Sequence, residues 1–312
     1  MTASPAPVPR PEASSKLLRR VLAERGLLGE TRFGVPLASL TSLGLGGPAA
    51  ALVETDDPDK LELLLADLEK YSIPWRVLGG GSNLLVDDRG VPGAVIRLLG
   101  SPPELIEGNR IRAGGGTFLQ KVVATAGGAG LGGLEFCAGI PGTVGGAVAM
   151  NAGTGQQWLS SVLEAVTIIR PGQGREELAP AECGFDYRRS RFRREAVAIV
   201  SARFRLRPSS RQAVEEKIQR QMRRRARPES TRCAGCWFRN PPGDSAGRLI
   251  EAAGLKGLTR GGAKVSREHA NFIIVTETGT SSREVRGLAD YVRAEVKAVS
   301  GIDLQEEIVG WG

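Results

Sequence analysis

Two rhythms of apolar and polar residues run through this chain. In AIVSARFRLR, Phe204 and Leu206 alternate with Arg203, Arg205 and Arg207, the period of two of a half-buried strand. From Val285 the apolar positions continue at Leu288, Ala289, Val292 and Val296, the spacing of one helix face, and Ser281 with Glu284 forms a capping box before it. The same reading gives a short helix over 16–25, a strand at 50–55, a helix in DKLELLLADLEK with Asp57 as cap and Pro58 first, and a strand at 75–79, together a β-α-β unit. Strands follow at 93–98, 110–114 and 162–170, with a helix in TFLQKVVATAG capped by Thr117 and an amphipathic basic helix over 209–227. Residues 134–153 read as mostly loop, and the closing IDLQEEIVGWG as a strand. There is no internal repeat; near Pro208 glycine-rich chain gives way to the basic helix.

Composition changes this picture in two ways. The chain of 312 residues holds 42 glycines, nearly twice the usual share of about 7%. They cluster at 79–81, 114–116, 127–133 and 142–146, as loops whose backbone must approach something closely, such as a phosphate. The net charge is +8, and residues 203–232 carry eleven Lys or Arg against three Glu. That stretch is either a solvated basic helix or a surface for an anionic partner. Hydrophobic content of 41% is ordinary for a globular chain, and no apolar run reaches membrane-spanning length. MTASPAPVPRPEASS reads as a disordered arm, with no secretory h-region, and four scattered cysteines make no disulfide framework. A cytoplasmic, reduced protein without membrane insertion is the expectation.

Three motifs bear on chemistry. SLGLGGPA (42–49) has the spacing of a dinucleotide fingerprint, but no strand leads into it and Pro48 interrupts it. In VLGGGSNLLV a strand runs into Gly79, Gly80 and Gly81, then Ser82 and Asn83, offering consecutive N–H groups as a nest for a diphosphate. EFCAGIPGTVGGAVAMNAG joins Ile140, Pro141, Gly142, Thr143, Gly145, Gly146 and Asn151 in a segment too apolar for an exposed loop; a large flat cofactor would provide partners for its backbone. Cys233 and Cys236 stand in Cys-x-x-Cys spacing, which suits a metal clip, a redox dithiol or an acid. No second such pair exists, and the single histidine, His269, is a packing residue or a substrate contact.

These motifs, with ECGFDYRRSRF, AGCWFRNPPGDSAGRLIEAAGLKG, GGAKVSREHANFI and LQEEIVG, resemble the UDP-N-acetylenolpyruvoylglucosamine reductase family over residues 40–312. The short link from Phe192 to Val197 is similar to the family's second type. The resemblance implies an α+β chain: an FAD-binding fold of the vanillyl-alcohol-oxidase type over 31–207, in two subdomains, after an arm over 1–30, and a C-terminal α/β substrate domain over 208–312. It implies non-covalent FAD, NADPH as co-substrate, UDP-N-acetylglucosamine enolpyruvate as acceptor, a monomer, a role in peptidoglycan precursor synthesis and no metal. By position it places catalytic groups at Arg188, Cys236 and Glu307 and substrate contacts at Tyr187, Asn240 and His269. The sequence departs from the family's pattern with Cys236 for serine, Arg239 for lysine and Glu306 for proline, which leaves Glu306 a competitor for the role of Glu307. Reducing an enol ether takes a hydride at one carbon and a proton at its neighbour. A cation such as Arg188 suits the charge that develops between these steps, and a thiol is a better acid than a serine hydroxyl. Two other readings stand beside this one: a related FAD oxidase on another substrate, and a basic module that binds nucleic acid, against which the absence of aromatics among the arginines counts.

Overall fold

The computed structural model describes residues 11–225 and 228–312. Helix α1 (Pro11–Glu24) starts earlier than the spacing suggests, and Leu18, Val21, Leu22 and Leu27 are buried in the first core. Residues 18–27 are therefore packed chain rather than an arm; residues 1–10, the rest of the expected arm, lie outside the described residues. The first sheet is built from β1 (Thr31–Pro36), β2 (Pro48–Thr55), β3 (Trp75–Leu78) and β5 (Val91–Leu98), with α2 (Pro58–Lys70) between β2 and β3 and β4 (Leu84–Val86) set aside. Its order is β1-β2-β5-β3, with β2 and β3 both parallel to β5, so the expected β-α-β crossover is present with one strand inserted. Asp57 caps α2 by accepting the N–H groups of Asp59 at 2.9 Å and Lys60 at 3.1 Å. Leu61, Leu64, Leu65 and Leu68 face the sheet's core, each burial stabilising by roughly 1.5–3 kcal/mol.

A second, antiparallel sheet follows. Its strands are β6 (Glu104–Ile106), β7 (Arg110–Gly114), β8 (Leu163–Arg170), β9 (Gly174–Leu178) and β10 (Ala198–Arg205), in the order β9-β8-β10-β7-β6. Phe204 and Leu206 are buried as the alternation requires, while Arg203 and Arg205 on the other face converge with Arg110 on Glu164. Helix α3 (Leu119–Gly128) is not capped by Thr117: that hydroxyl donates to the carbonyl of Ser101 at 2.8 Å, and Phe118 holds the cap position. Residues 134–153 hold more than loop. A 3-10 turn spans Glu135–Cys137 and helix α4 spans Val144–Ala149, capped by Thr143. Glycine's poor helix propensity hid α4 from the sequence reading.

Helix α5 (Arg211–Arg224) buries Val214 and lays Ile218 against this same core, so the composition break near Pro208 is not a break in packing. Residues 226 and 227, where the basic helix was expected to end, lie outside the described residues. The C-terminal lobe has β11 (Cys233–Cys236), α6 (Ala246–Ala252), β12 (Thr259–Arg260), β13 (Ala263–Val265), β14 (Phe272–Val275), α7 (Ser282–Ser300) and β15 (Val309–Trp311). The sheet order is β11-β14-β13-β12, antiparallel throughout, and α6 and α7 share one core with it. Ser281 and Glu284 make the expected capping box, and Gly301 ends α7 in the left-handed region at φ 72°.

Two features join the lobes. Leu43, Leu45 and Leu85 enter the C-terminal core, and β15 pairs in parallel with β4. Only these last residues of the closing segment are strand. Residues 305–307 instead run beside 237–239, where Arg239 N–H donates to Gln305 and Glu307 N–H to Trp237, both at 2.8 Å. Strand β11 likewise ends at Cys236, short of Trp237 and Phe238. The SLGLGGPA glycines serve packing: a Cβ on Gly47 would overlap the backbone of Asp88.

Candidate active site

The two glycine loops singled out in the sequence lie against each other. A Cβ on Gly79 would stand 2.8 Å from Thr143 Oγ1, and one on Gly80 2.7 Å from Gly142 Cα. Gly81 has φ 62° and presses on the carbonyl of Leu40, and Ser82 Oγ donates to Pro141 O at 3.3 Å. Among the described residues, the backbone N–H groups of residues 80–83 donate to no protein acceptor. Free backbone donors of this kind suit an anion. Beside them opens a cavity of about 560 Å³ lined by Gly79, Gly145 and Gly146, by Gly115 and Gly116 of the 114–116 cluster, and by Trp311, which the sequence did not mark. The glycines along its wall, with the free donors of residues 80–83 next to it, fit a flat dinucleotide cofactor. Elsewhere the 136–140 backbone finds protein partners rather than a cofactor. Gln120 bonds the carbonyls of Cys137 and Ile140 and the N–H of Gly139, and Arg225 bonds the carbonyls of Phe136 and Ala138.

Arg188, Cys236 and Glu307 come together from three parts of the chain. Asp186 and Arg189 exchange backbone hydrogen bonds at 3.0 and 3.1 Å, closing a tight turn with Tyr187 and Arg188 at its tip. Arg188 has φ 51°, a conformation that a residue other than glycine adopts under strain. Its Nε lies 3.1 Å from Glu307 Oε1, yet the N–H is not aimed along that line, so the pair is an ionic contact and the donor stays unpaired. Arg239 Nε is a second buried donor without an acceptor. Burial holds the Glu307 carboxyl above its ordinary pKa, against the opposing pull of Arg188, Arg239 and Arg193. Burial, and then the Glu307 charge, push the Cys236 thiol up to about 12.

The two neighbouring glutamates face different arginines. Both Glu306 oxygens lie 2.6 Å from Arg286 Nη1, whereas Glu307 turns to Arg188. Asn83 donates to the Glu307 carbonyl at 3.1 Å and accepts Val309 N–H at 3.0 Å, so the glycine loop also seats this segment. Cys233 is separated from Cys236 by a bulge with Gly235 at φ 78°, and its Sγ accepts Gly235 N–H. Among the described residues no group of three or more metal-ligating side chains gathers. A redox dithiol needs a depressed pKa, and both thiols are shifted upward.

Tyr187 and Asn240 meet: the tyrosine oxygen accepts Asn240 N–H at 3.3 Å, while Asn240 Oδ1 accepts Ala246 N–H at 3.0 Å. His269 stands apart from the arginine and glutamate, stacked on Phe272 with Nδ1 accepting Asn271 N–H, and burial lowers its pKa. The sequence reading passed over Asn271, whose side chain bonds both the N–H (2.9 Å) and the C=O (2.7 Å) of Phe238 and fixes the strand beyond Cys236. It also passed over Arg193, which donates to Arg188 O at 3.4 Å. Nothing in local pattern marks either residue; the partner of Asn271 is 33 positions away, and that of Arg193 is a backbone carbonyl five residues back.

Residues 227–311 match the family model of the UDP-N-acetylenolpyruvoylglucosamine reductase C-terminal domain, and residues 49–176 that of an FAD binding domain. UDP-N-acetylenolpyruvoylglucosamine reductase 2 of Symbiobacterium thermophilum is 43% identical over 288 residues, covering 91% of this chain and 93% of that one. The chain belongs to the UDP-N-acetylenolpyruvoylglucosamine reductase family. A reductase of the same name from Bacillus subtilis is 37% identical, with 90% and 94% covered. The crystal structure of the Thermus caldophilus reductase superposes with a TM-score of 0.79 at 38% identity, over 90% of this chain and all of that one. The first sheet (β1, β2, β3 and β5) and the second (β6–β10) thus belong to the family's FAD-binding fold of the vanillyl-alcohol-oxidase type, carrying a C-terminal lobe of its own.

Proposed function

We propose that this protein reduces the enolpyruvyl ether of UDP-N-acetylglucosamine to UDP-N-acetylmuramate with NADPH, in peptidoglycan precursor synthesis. The observation that carries the reading is the meeting of Arg188, Cys236 and Glu307 beside the paired glycine loops. The hydride transfer from NADPH to the substrate's methylene carbon is the chemistry that bound FAD would supply. The cofactor-holding residues are Gly79, Gly80, Gly81, Ser82 and Asn83 on one loop, and Ile140, Pro141, Gly142, Thr143, Gly145 and Gly146 on the other. The unpaired N–H groups of residues 80–83 would hold its diphosphate.

The protein's own residues serve the other half of the reaction. The Nε donors of Arg188 and Arg239 lack acceptors, and a substrate carboxylate provides them. Arg188 stabilises the negative charge on the carbon next to that carboxylate. Glu307, held toward its neutral form by burial, can donate a hydrogen bond to the developing oxyanion. Cys236 keeps its proton at neutral pH and delivers it to the carbon; a carbanion is a far stronger base than a thiolate, so the transfer runs downhill. Tyr187 and Asn240 contact the sugar nucleotide, and His269 braces Asn271 behind them.

The reading is of a monomeric, cytoplasmic enzyme that binds no nucleic acid. All four thiols are free, as a reducing compartment favours. Arg203 and Arg205 are neutralised by Glu164 and Glu177, which shortens the basic stripe to α5. No helix among the described residues is long and apolar enough to cross a membrane. The test is anaerobic: NADPH should bleach the flavin band, and the enolpyruvyl sugar nucleotide should restore it. A reduced flavin that this substrate leaves reduced would overturn the reading.

A further inference from the structure

The turn that carries Arg188 is also held by residues that do not contact Glu307. Asn151, almost fully buried just past α4, donates from Nδ2 to the carbonyl of Asp186 at 3.1 Å and accepts Ser160 N–H on Oδ1 at 3.0 Å. One partner can only accept and the other can only donate, so the amide's orientation is fixed. Asn151 itself has φ 43°, in the left-handed region that asparagine tolerates better than most residues. A second grip comes from Ser190, whose buried hydroxyl donates to Ala149 O at 2.6 Å. The segment held by the other end of Asn151 carries Trp158. Its ring meets Tyr187 edge-on at 5.3 Å, and the Arg188 guanidinium lies 5.9 Å from its centre. One side chain therefore ties together the Trp158 segment, the Arg188 turn and the end of the glycine-rich loop.

We propose that Asn151 is the positioning residue of Arg188: it holds the strained turn so that Trp158 backs the guanidinium and Arg188 meets the substrate beside Glu307. This rests on the role given to Arg188 above. Asn151 touches none of the reacting atoms and acts through the arginine alone.

The test is a cycle of four FAD-loaded proteins: wild type, Asn151→Gly, Arg188→Ala and the double variant. Each is followed in two anaerobic half-reactions, flavin reduction by NADPH and reoxidation by the enolpyruvyl sugar nucleotide. Glycine keeps the left-handed backbone and removes only the amide. Asn151→Gly is expected to slow reoxidation by about tenfold or more, as small misplacements of a reacting group do, with NADPH reduction and the bound-flavin spectrum unchanged. In the Arg188→Ala background it should cause no further loss. An equal loss in both backgrounds, or equal damage to both half-reactions, would overturn the inference while leaving Arg188 its role. A silent Arg188→Ala would overturn both. Should Asn151→Gly fail to fold, Asn151→Asp retains the acceptor for Ser160 and replaces only the donor to Asp186; it is expected to show the same one-sided, non-additive loss, and additivity there counts equally against the proposal.

Discussion

Arg188 does its work in a backbone conformation that favours glycine, and this makes stability and function separable at one position. At φ 51° a side chain other than glycine costs about 1–2 kcal/mol. Replacing alanine by glycine there removes this strain but returns roughly 0.5–1 kcal/mol through the freer unfolded chain. Arg188→Gly should therefore be more stable than Arg188→Ala by about 0.5–1 kcal/mol, a small shift in urea midpoint at constant slope. Neither variant should support flavin reoxidation by the enolpyruvyl substrate, because each leaves Glu307 without the 3.1 Å cation. Equilibrium urea unfolding of the two variants, paired with stopped-flow half-reactions, reads both quantities on the same preparations. If alanine is as stable as glycine, the turn is not strained as described; if either variant reoxidises normally, the arginine is not part of the chemistry.

Glu307→Gln should spare flavin reduction by NADPH and slow reoxidation, while Glu306→Gln, whose amide oxygen can still accept from Arg286, should leave the rates of both half-reactions near wild type. Burial raises the folded pKa of Glu307, so its charge costs stability above the unfolded pKa; Glu307→Gln should melt no lower than wild type at pH 8, and a clear drop would contradict that sign. Arg205, then Arg110 and Arg203, hold Glu164 down to about 2, so its contribution is present above the unfolded pKa and lost as pH falls through the folded one. Acid titration of stability between about pH 4.5 and 2 should accordingly be flatter in Glu164→Gln than in wild type. Cys236→Ala should block substrate turnover by about 10²–10⁴-fold with Cys236→Ser recovering much of it, and Cys233→Ser should be nearly silent; equal damage from the two serine variants would remove Cys236 from the proton-donor role. Acid precipitation should release all the flavin, since the one histidine stacks on Phe272 in the other lobe.

The elements legible in the sequence were those whose signals are local. Asp57 with Pro58 and Ser281 with Glu284 fix helix starts by bonds that span two or three residues, and both hold in the structure. Helix α4 was not legible, because Val144-Gly-Gly-Ala-Val-Ala is a poor helix by propensity and forms inside a packed core. The closing strand shrank for the opposite reason. IDLQEEIVGWG has strand composition, but residues 305–307 find their backbone partners in 237–239 and only Val309–Trp311 reach β4. Where the basic composition suggested a new domain, α5 turned its few apolar residues, Val214 and Ile218, to the older core. Packing follows those two residues rather than the many arginines around them.

At the site, sequence alone could name Arg188, Cys236 and Glu307 only through resemblance, since no spacing relates residues 48 and 71 positions apart. The resemblance favoured Glu307 over Glu306, but the residues alone gave no physical reason for the choice. That choice depends on Arg286, one turn into α7, which occupies Glu306 at 2.6 Å and leaves its neighbour to face the other way. Adjacent residues in an extended run point to opposite sides, so fixing one fixes the other. The ion pair on the C-terminal core side thus orients the carboxylate on the cleft side. Arg286→Ala removes the partner altogether, frees Glu306 and should loosen Glu307 with it, slowing flavin reoxidation by the substrate while sparing reduction by NADPH.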